Sequence, residues 1–280
     1  PVVTFYDSTG AKLEGGLALL NANARLTAEI ARVSGVVPQI AVVTGTRAEY
    51  GLLRPVLQKL AARPDAKLAL LVTGAHLSRR HGATVSEIEA DGMPIAARIP
   101  ILFEEDEGPL STARAVERAI RGFSEWFAEN RPACCLVLGD RYEILAAAEA
   151  AAFAGVPVAH ISGGDVTLGA QDDWYRHCLT KMASLHFPSC EVYARRLIRM
   201  GEDPAAVENV GGLGDENLRS LPLLSRAALA ESIGFGLDRP YALVTYHPET
   251  AGGASPAAQS ITDQPRSRAI SRAPSRQRRR

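Results

Sequence analysis

The sequence predicts an α/β fold, a parallel sheet covered by helices on both faces. Two observations carry that expectation. Apolar runs of strand length alternate with helix-period segments from Ile40 onward. Those runs are also continuously apolar, the pattern of strands buried on both faces. The first is Ile40–Thr44, rich in Val and Ile, followed at helical spacing by Tyr50–Ala62. Leu68–Thr73 is the second strand and Ala96–Ile101 a weaker third. The clearest helix is Leu110–Asn130, whose Val116, Ala119, Ile120, Phe123, Trp126 and Phe127 share one face; Asn130 and Pro132 mark its end. Cys134–Leu138 then reads as a strand, Arg141–Ala154 as an Ala-rich helix stopped by Gly155, and Val156–His160 as a strand. Asp172–Ser184 and Glu191–Met200 are expected helices flanking the short run Leu185–Phe187. Ala206–Val210, a helix capped by Ser225, and Tyr241–Tyr246 complete the series.

Two segments stand apart. Residues 1–38 hold one expected helix, Leu17–Val33, and no legible chemistry; residues 251–280 lack periodicity and are expected to be disordered. The charge divides along the same line. The 280 residues balance 31 basic against 31 acidic groups, yet residues 251–280 hold seven arginines and one acid, leaving the first 250 at −6. The body is therefore not a nucleic-acid-binding composition. No apolar run approaches the ~18–20 residues of a membrane span, and the start lacks the order of a signal peptide. Cys134 and Cys135 are adjacent in an apolar run, and Cys178 and Cys190 have no CxxC spacing, so the cysteines read as thiols of a reducing, cytoplasmic compartment.

Parallel sheets bind ligands at the carboxyl ends of their strands, so the polar residues after each run are the place to seek chemistry. Gly45-Thr46-Arg47-Ala48-Glu49-Tyr50-Gly51 follows the first strand. It is not a dinucleotide fingerprint, but a Gly-Thr turn opening a helix offers backbone N–H groups to an anion, with Arg47 beside them. The alternative is an ordinary turn with a solvated arginine. Gly74-Ala75-His76 follows the second strand and Gly139-Asp140-Arg141 the fourth. Asp140 is either a favourable helix-dipole partner or a carboxylate at the ligand edge. The densest stretch runs from His160 through Ser162, Gly163, Gly164, Asp165, Asp172 and Arg176 to His177. Asp172 and Arg176, four apart, share a helix face and could form a simple ion pair. That pairing leaves the concentration of Gly, His and Asp unexplained. Gly211-Gly212-Leu213-Gly214 reads as a tight turn, and His247-Pro248 follows the last run.

Together these residues resemble the hydrolysing UDP-N-acetylglucosamine 2-epimerases of sialic-type acid synthesis, in order over residues 38–250. Thr180-Lys181-Met182, Leu185-His186-Phe187, Ala194 to Ile198 and Met200-Gly201-Glu202 add to the match. The resemblance implies a GT-B-like fold of two Rossmann-like domains with the sugar nucleotide between them. It divides the chain into an unassigned extension (1–38), an N-terminal Rossmann-like domain (39–224), the start of a second (225–250) and the tail. It implies elimination of UDP to a 2-acetamidoglucal, then hydration to N-acetylmannosamine. Asp140, Asp172 and Asp165 become the candidate catalytic acids. Arg47, Glu49, His76, Arg141, His160, Ser162, Arg176 and His247 become candidate substrate contacts, with Arg47, Arg176 and His247 steadying the diphosphate. No metal or cofactor is implied, and a homo-oligomer is expected of the family.

Three departures qualify this. Ser162 stands where the sialic-acid branch has a catalytic Glu and cannot be a carboxylate base; Asp165 is the candidate substitute. Ser162, Thr167 and Gly169-Ala170 look more like the branch acting on UDP-2,4-diacetamido-2,4,6-trideoxyglucose, on the way to legionaminic-type acids. The resemblance also stops after Thr250, as though most of the second domain were missing or read out of frame, so this chain is expected to have little or no activity. A non-catalytic single-domain remnant, a weak polyanion binder acting through the tail, and a GT-B glycosyltransferase are the other readings.

Overall fold

The computed structural model describes residues 37–220 and 223–243. They form two compact units, the first running through Val166 and from Asp172 to residue 222, the second comprising Thr167–Gln171 and the chain from Leu223.

The first unit is the predicted α/β fold. β1 (Gln39–Thr44), β2 (Lys67–Thr73), β3 (Ile95–Ile99), β4 (Cys134–Leu138), β5 (Val158–Ile161) and β6 (Leu185–Phe187) form one sheet in the order β3-β2-β1-β4-β5-β6. Every pairing is parallel. Between them run α1 (Arg47–Ala61), α2 (Val85–Ala90), α3 (Ser111–Asn130), α4 (Tyr142–Phe153) and α5 (Asp172–Met182); α6 (Glu191–Arg199) and α7 (Leu213–Ser220) follow β6.

Continuous apolar strands work here because each face has its own core. Ala41, Val43, Cys135 and Val137 point to a layer filled by Ala115, Ala119, Phe123 and Phe127 of α3, the alanines of α4, and Leu179 of α5. Their neighbours Val42, Leu70, Val72, Leu136 and Leu138 meet Tyr50, Leu53 and Leu57 of α1 and Ile88 of α2. On α3 the expected face is the buried one, with Val116, Ile120 and Trp126 at its margins. Arg131, in the left-handed region at φ 42°, ends that helix. The strand order reverses direction between β1 and β4, the switch point at which such sheets receive ligands.

Three expectations need correction. Ala206–Val210 is not a strand; Asp203 caps a 3₁₀ turn at Pro204–Ala206, its side chain accepting from Ala205 N at 2.9 Å, and Val207 makes a single bridge to His186. A proline fits the first helical position because its missing N–H would have no partner there anyway. The glycine run at 211–214 is not only a turn, since its last two residues open α7. Of the expected last strand, residues 241–243 take no strand conformation, and residues 244–246 lie outside the described residues, as do His247, the Leu17–Val33 helix and the 251–280 tail. In the second unit α8 (Arg226–Ile233) is capped as expected, Ser225 Oγ accepting from Ala228 N at 3.2 Å.

Candidate active site

The predicted residues that are described gather at the carboxyl edge of the sheet, where the structure gives several of them other work. At the end of β1, Glu49 folds back and its Oε2 accepts from Gly45 N (2.8 Å) and Thr46 N (3.1 Å), while Thr46 Oγ1 accepts from Glu49 N. This capping box occupies the turn amides that an anion would have used. Arg47 is largely exposed and pairs with Glu87 at 3.0 Å, the solvated arginine of the simpler reading. His76 has no exposed surface; its ring is hydrogen-bonded to Thr44 Oγ1 (3.1 Å) and Thr84 Oγ1 (2.8 Å), and burial lowers its pKa.

Behind this turn lies a residue the sequence reading passed over. Glu143, in the first turn of α4, is fully buried, and its Oε1 accepts from Arg141 Nε at 2.5 Å. A Cβ on Gly45 would lie 2.8 Å from Glu143 Cγ and Oε1, and one on Gly74 would lie 2.8 Å from the Gly45 carbonyl. The two glycines make room for a buried carboxylate. Burial, and then the Glu143 charge, raises the Glu49 carboxyl from 4.5 to about 7. Glu49 Oε1 and Glu143 Oε2 are both buried without a hydrogen-bond partner. The available signal was an acid in the first turn of an Ala-rich helix whose one other charged residue is Glu149; burial is rare for Glu unless it is paired.

Asp140, Asp165, Asp172 and Arg176 do come together. Arg176, in the first half of α5, is buried; Nη2 pairs with Asp140, and Nη1 donates to Asp173 Oδ1 (3.0 Å) and to the Asp165 carbonyl (2.8 Å). The simple Asp172–Arg176 pair gives way to this arrangement, and Asp173 was not anticipated. Asp165 Oδ1 accepts from Ser189 Oγ at 3.2 Å. Burial raises the carboxyls of Asp165 and Asp172, and the Asp140 charge raises Asp172 further. Carboxyls pushed toward the protonated form beside one held by a guanidinium suit acid–base chemistry.

His160 is fully buried on β5, and its Nε2–H donates to the Gly139 carbonyl at 2.7 Å, immediately before Asp140. Burial lowers its pKa to about 4, so the ring is neutral, and its hydrogen bond braces the Gly139–Asp140 loop. Ser162 sits in the left-handed region at φ 65°, a conformation costly for a residue with a Cβ and most often kept at functional loops. A cavity of about 750 Å³ lies between α7 and the α1 face of the sheet, and no predicted site residue lines it. Among the described residues no cluster of three or more His, Cys, Asp or Glu is placed to hold a metal ion, and no helix is long and apolar enough to cross a membrane.

A sheet edge carrying a buried Arg among acids narrows the chemistry without naming a family. The decisive match is to the family model for UDP-N-acetylglucosamine 2-epimerase, which covers residues 58–269. The chain belongs to that family. The matched stretch runs past Thr250, beyond the point at which the resemblance was expected to stop. Among the chain's relatives, the GDP/UDP-N,N'-diacetylbacillosamine 2-epimerase (hydrolyzing) of Campylobacter jejuni is 38% identical over 212 residues, 76% of this chain and 55% of that one. The UDP-N,N'-diacetylbacillosamine 2-epimerase (hydrolyzing) of Legionella pneumophila is 38% identical over 213 residues, 76% and 56%. The chain thus spans little more than half the length of these relatives. A Neisseria meningitidis UDP-GlcNAc 2-epimerase, solved bound to UDP-GlcNAc, shares the fold at TM-score 0.57 and 19% identity, over 65% of this chain and 48% of that one.

Proposed function

We propose that this chain supplies the carboxylate-bearing part of a hydrolysing UDP-sugar 2-epimerase, converting UDP-N-acetylglucosamine to UDP and N-acetylmannosamine through a glycal. The carrying observation is the buried Arg176 that holds Asp140 beside Asp172, whose carboxyl that charge helps to raise. In the first step the C1–O bond to UDP breaks and a base takes the C2 proton, leaving a C1–C2 double bond. In the second, water adds its oxygen at C1 and a proton returns to C2. Asp140, ion-paired with Arg176, is the partner of the oxocarbenium character that develops as UDP leaves. Asp172 exchanges the proton, its raised pKa bringing it nearer to working pH. Asp165 takes the place of the carboxylate absent at Ser162. Glu143 and His160 are positioning residues, the first fixing Arg141 and the second the Gly139–Asp140 loop.

A second substrate, UDP-2,4-diacetamido-2,4,6-trideoxyglucose, is favoured by the two relatives named for diacetylbacillosamine. Either reaction places the protein at the entry to nonulosonic acid synthesis. The described cysteines, all free, fit a cytoplasmic setting, and a homo-oligomer remains our expectation.

The test is UDP release from both nucleotides, by this chain and by Asp140→Asn and Asp172→Asn variants. Each substitution should abolish release, and release at the parent rate from either takes that residue out of the mechanism. No release from the folded parent chain would make it the non-catalytic remnant.

A further inference from the structure

The proposed chemistry uses Asp172 and Arg176 of α5 and leaves Asp173, between them, without a task. Asp173 lies in the first turn of that helix. It is three residues before Arg176 and four before His177, the spacings that bring helical side chains together. Its Oδ1 accepts from Arg176 Nη1 at 3.0 Å, and its Oδ2 faces His177 Nε2 at 3.5 Å. The plain account is a first-turn acid that complements the helix dipole and makes a local ion pair. Such pairs contribute little between exposed, mobile side chains. Here only 5% of the Arg176 side chain is exposed, and its guanidinium is the group that meets Asp140.

An arginine side chain has many rotamers, but its guanidinium is a rigid planar fork. The two arms of this fork do different work. Nη1 donates to Asp173 Oδ1 and to the Asp165 carbonyl, 2.8 Å away on the loop after β5. Nη2 pairs with Asp140, on the loop after β4. Held by the carbonyl alone, the Nη1 arm could still pivot about that one contact. Asp173 adds a second contact, and with both in place the plane is fixed and Nη2 is aimed. The brace comes from the same helix as the arginine, so it forms with α5 and needs neither loop. Its reach extends past Asp140. Burial raises the carboxyls of Asp165 and Asp172, and the Arg176 charge draws both back down. A displaced guanidinium would therefore disturb all three proposed acids.

We propose that Asp173 is a positioning residue of the epimerase reaction, aiming the Arg176 guanidinium at Asp140. The proposal rests on the epimerase reading and deepens it by naming the group that sets the geometry of the Arg176–Asp140 pair. Substitutions separate position from charge. Asp173→Asn loses the charge and keeps an oxygen acceptor for Nη1. Asp173→Ala loses both. Asp173→Ser, whose hydroxyl stops a bond short of the Oδ1 position, replaces the alanine variant if that chain does not fold.

The experiment measures kcat and KM for UDP release from UDP-N-acetylglucosamine and from UDP-2,4-diacetamido-2,4,6-trideoxyglucose. In parallel, NMR of the isotope-labelled arginines, with Arg176 assigned from Arg176→Lys, reports whether rotation about its Nε–Cζ bond is hindered. We expect Asp173→Ala to lower kcat about tenfold or more while KM hardly moves, the mark of lost orientation. Asp173→Asn should recover most of that loss. Separate Nη signals of Arg176 should be seen in the parent and in the asparagine variant, and should merge in the alanine variant. A role through charge or the helix dipole predicts instead that asparagine fails as badly as alanine. That result, an alanine variant at the parent kcat, or a loss confined to KM overturns the proposal. If the folded parent chain releases no UDP, the epimerase reading fails for this chain and the NMR decides alone. Signals that merge only in the alanine variant uphold the brace. Signals already merged in the parent, or still separate in the alanine variant, overturn it.

Discussion

Glu49→Gln replaces a buried carboxyl by an amide of the same shape, and the structure gives both the sign and the size of the effect. The Glu49 carboxyl is raised from 4.5 to about 7 by burial and then by the Glu143 charge. Between those values the folded chain holds a proton that the unfolded chain has released. The stabilisation is therefore complete below pH 4.5, is lost as pH rises toward 7, and stays lost above it. At ~1.36 kcal/mol per pH unit, the whole loss is on the order of 3 kcal/mol. The amide never ionises, and its carbonyl oxygen can still accept from Gly45 N and Thr46 N. Urea unfolding of both chains at half-unit steps from about pH 5 to 8 measures the difference, in which titrating groups not coupled to Glu49 cancel. The stability of the variant relative to the parent should grow by about 2 to 3 kcal/mol over that range and level off near pH 7. A flat difference, or a parent that gains on the variant as pH rises, would refute the argument that a strained, protonated carboxyl sits under the β1 turn.

Other perturbations test the same edge of the sheet. Gly45→Ala pushes a methyl group against Glu143 Cγ and Oε1, 2.8 Å away, and should cost about 1–3 kcal/mol in urea unfolding. His160→Leu leaves the Gly139 carbonyl without its 2.7 Å donor; a loss of about 1–3 kcal/mol is expected. UDP release should fall at least roughly tenfold as Asp140 loses its position, and His160→Gln, which can still donate, should recover part of it.

The central strands were legible because they are buried on both sides and so carry uninterrupted apolar runs, whereas the edge strands β3 and β6 alternate in exposure. Cys134–Leu138 and Leu185–Phe187 were placed to the residue. Where reading failed, a local or distant partner outweighed hydrophobic pattern. Ala206–Val210 yields to the Asp203 cap and Pro204. Helix α7 hides behind a glycine run and is tied by Asn217 Nδ2 to the Gly51 carbonyl, far away in sequence. The site divides in the same way. Asp140, Asp165, Asp172 and Arg176 were found from their place after strands. Helical spacing, however, pointed Arg176 at Asp172, while its ion-pair partners include Asp140, 36 residues away. No periodicity encodes that contact. Glu143 escaped because its importance lies in what it touches, two glycines and an arginine on three different strand ends.

The strand order β3-β2-β1-β4-β5-β6 also bears on how the chain assembles as it is synthesised. Ile40 meets Leu68 on one side and Cys134 on the other, so the central strand finds its first neighbour long before its second exists. Closing the longer loop carries about 1 kcal/mol more chain entropy than the shorter one. The left half of the sheet can therefore form on the ribosome while β1 still exposes an unpaired edge. The acids and the arginine of the site lie almost entirely on the half that arrives later. A nascent chain would then acquire its stable framework first and its chemistry last.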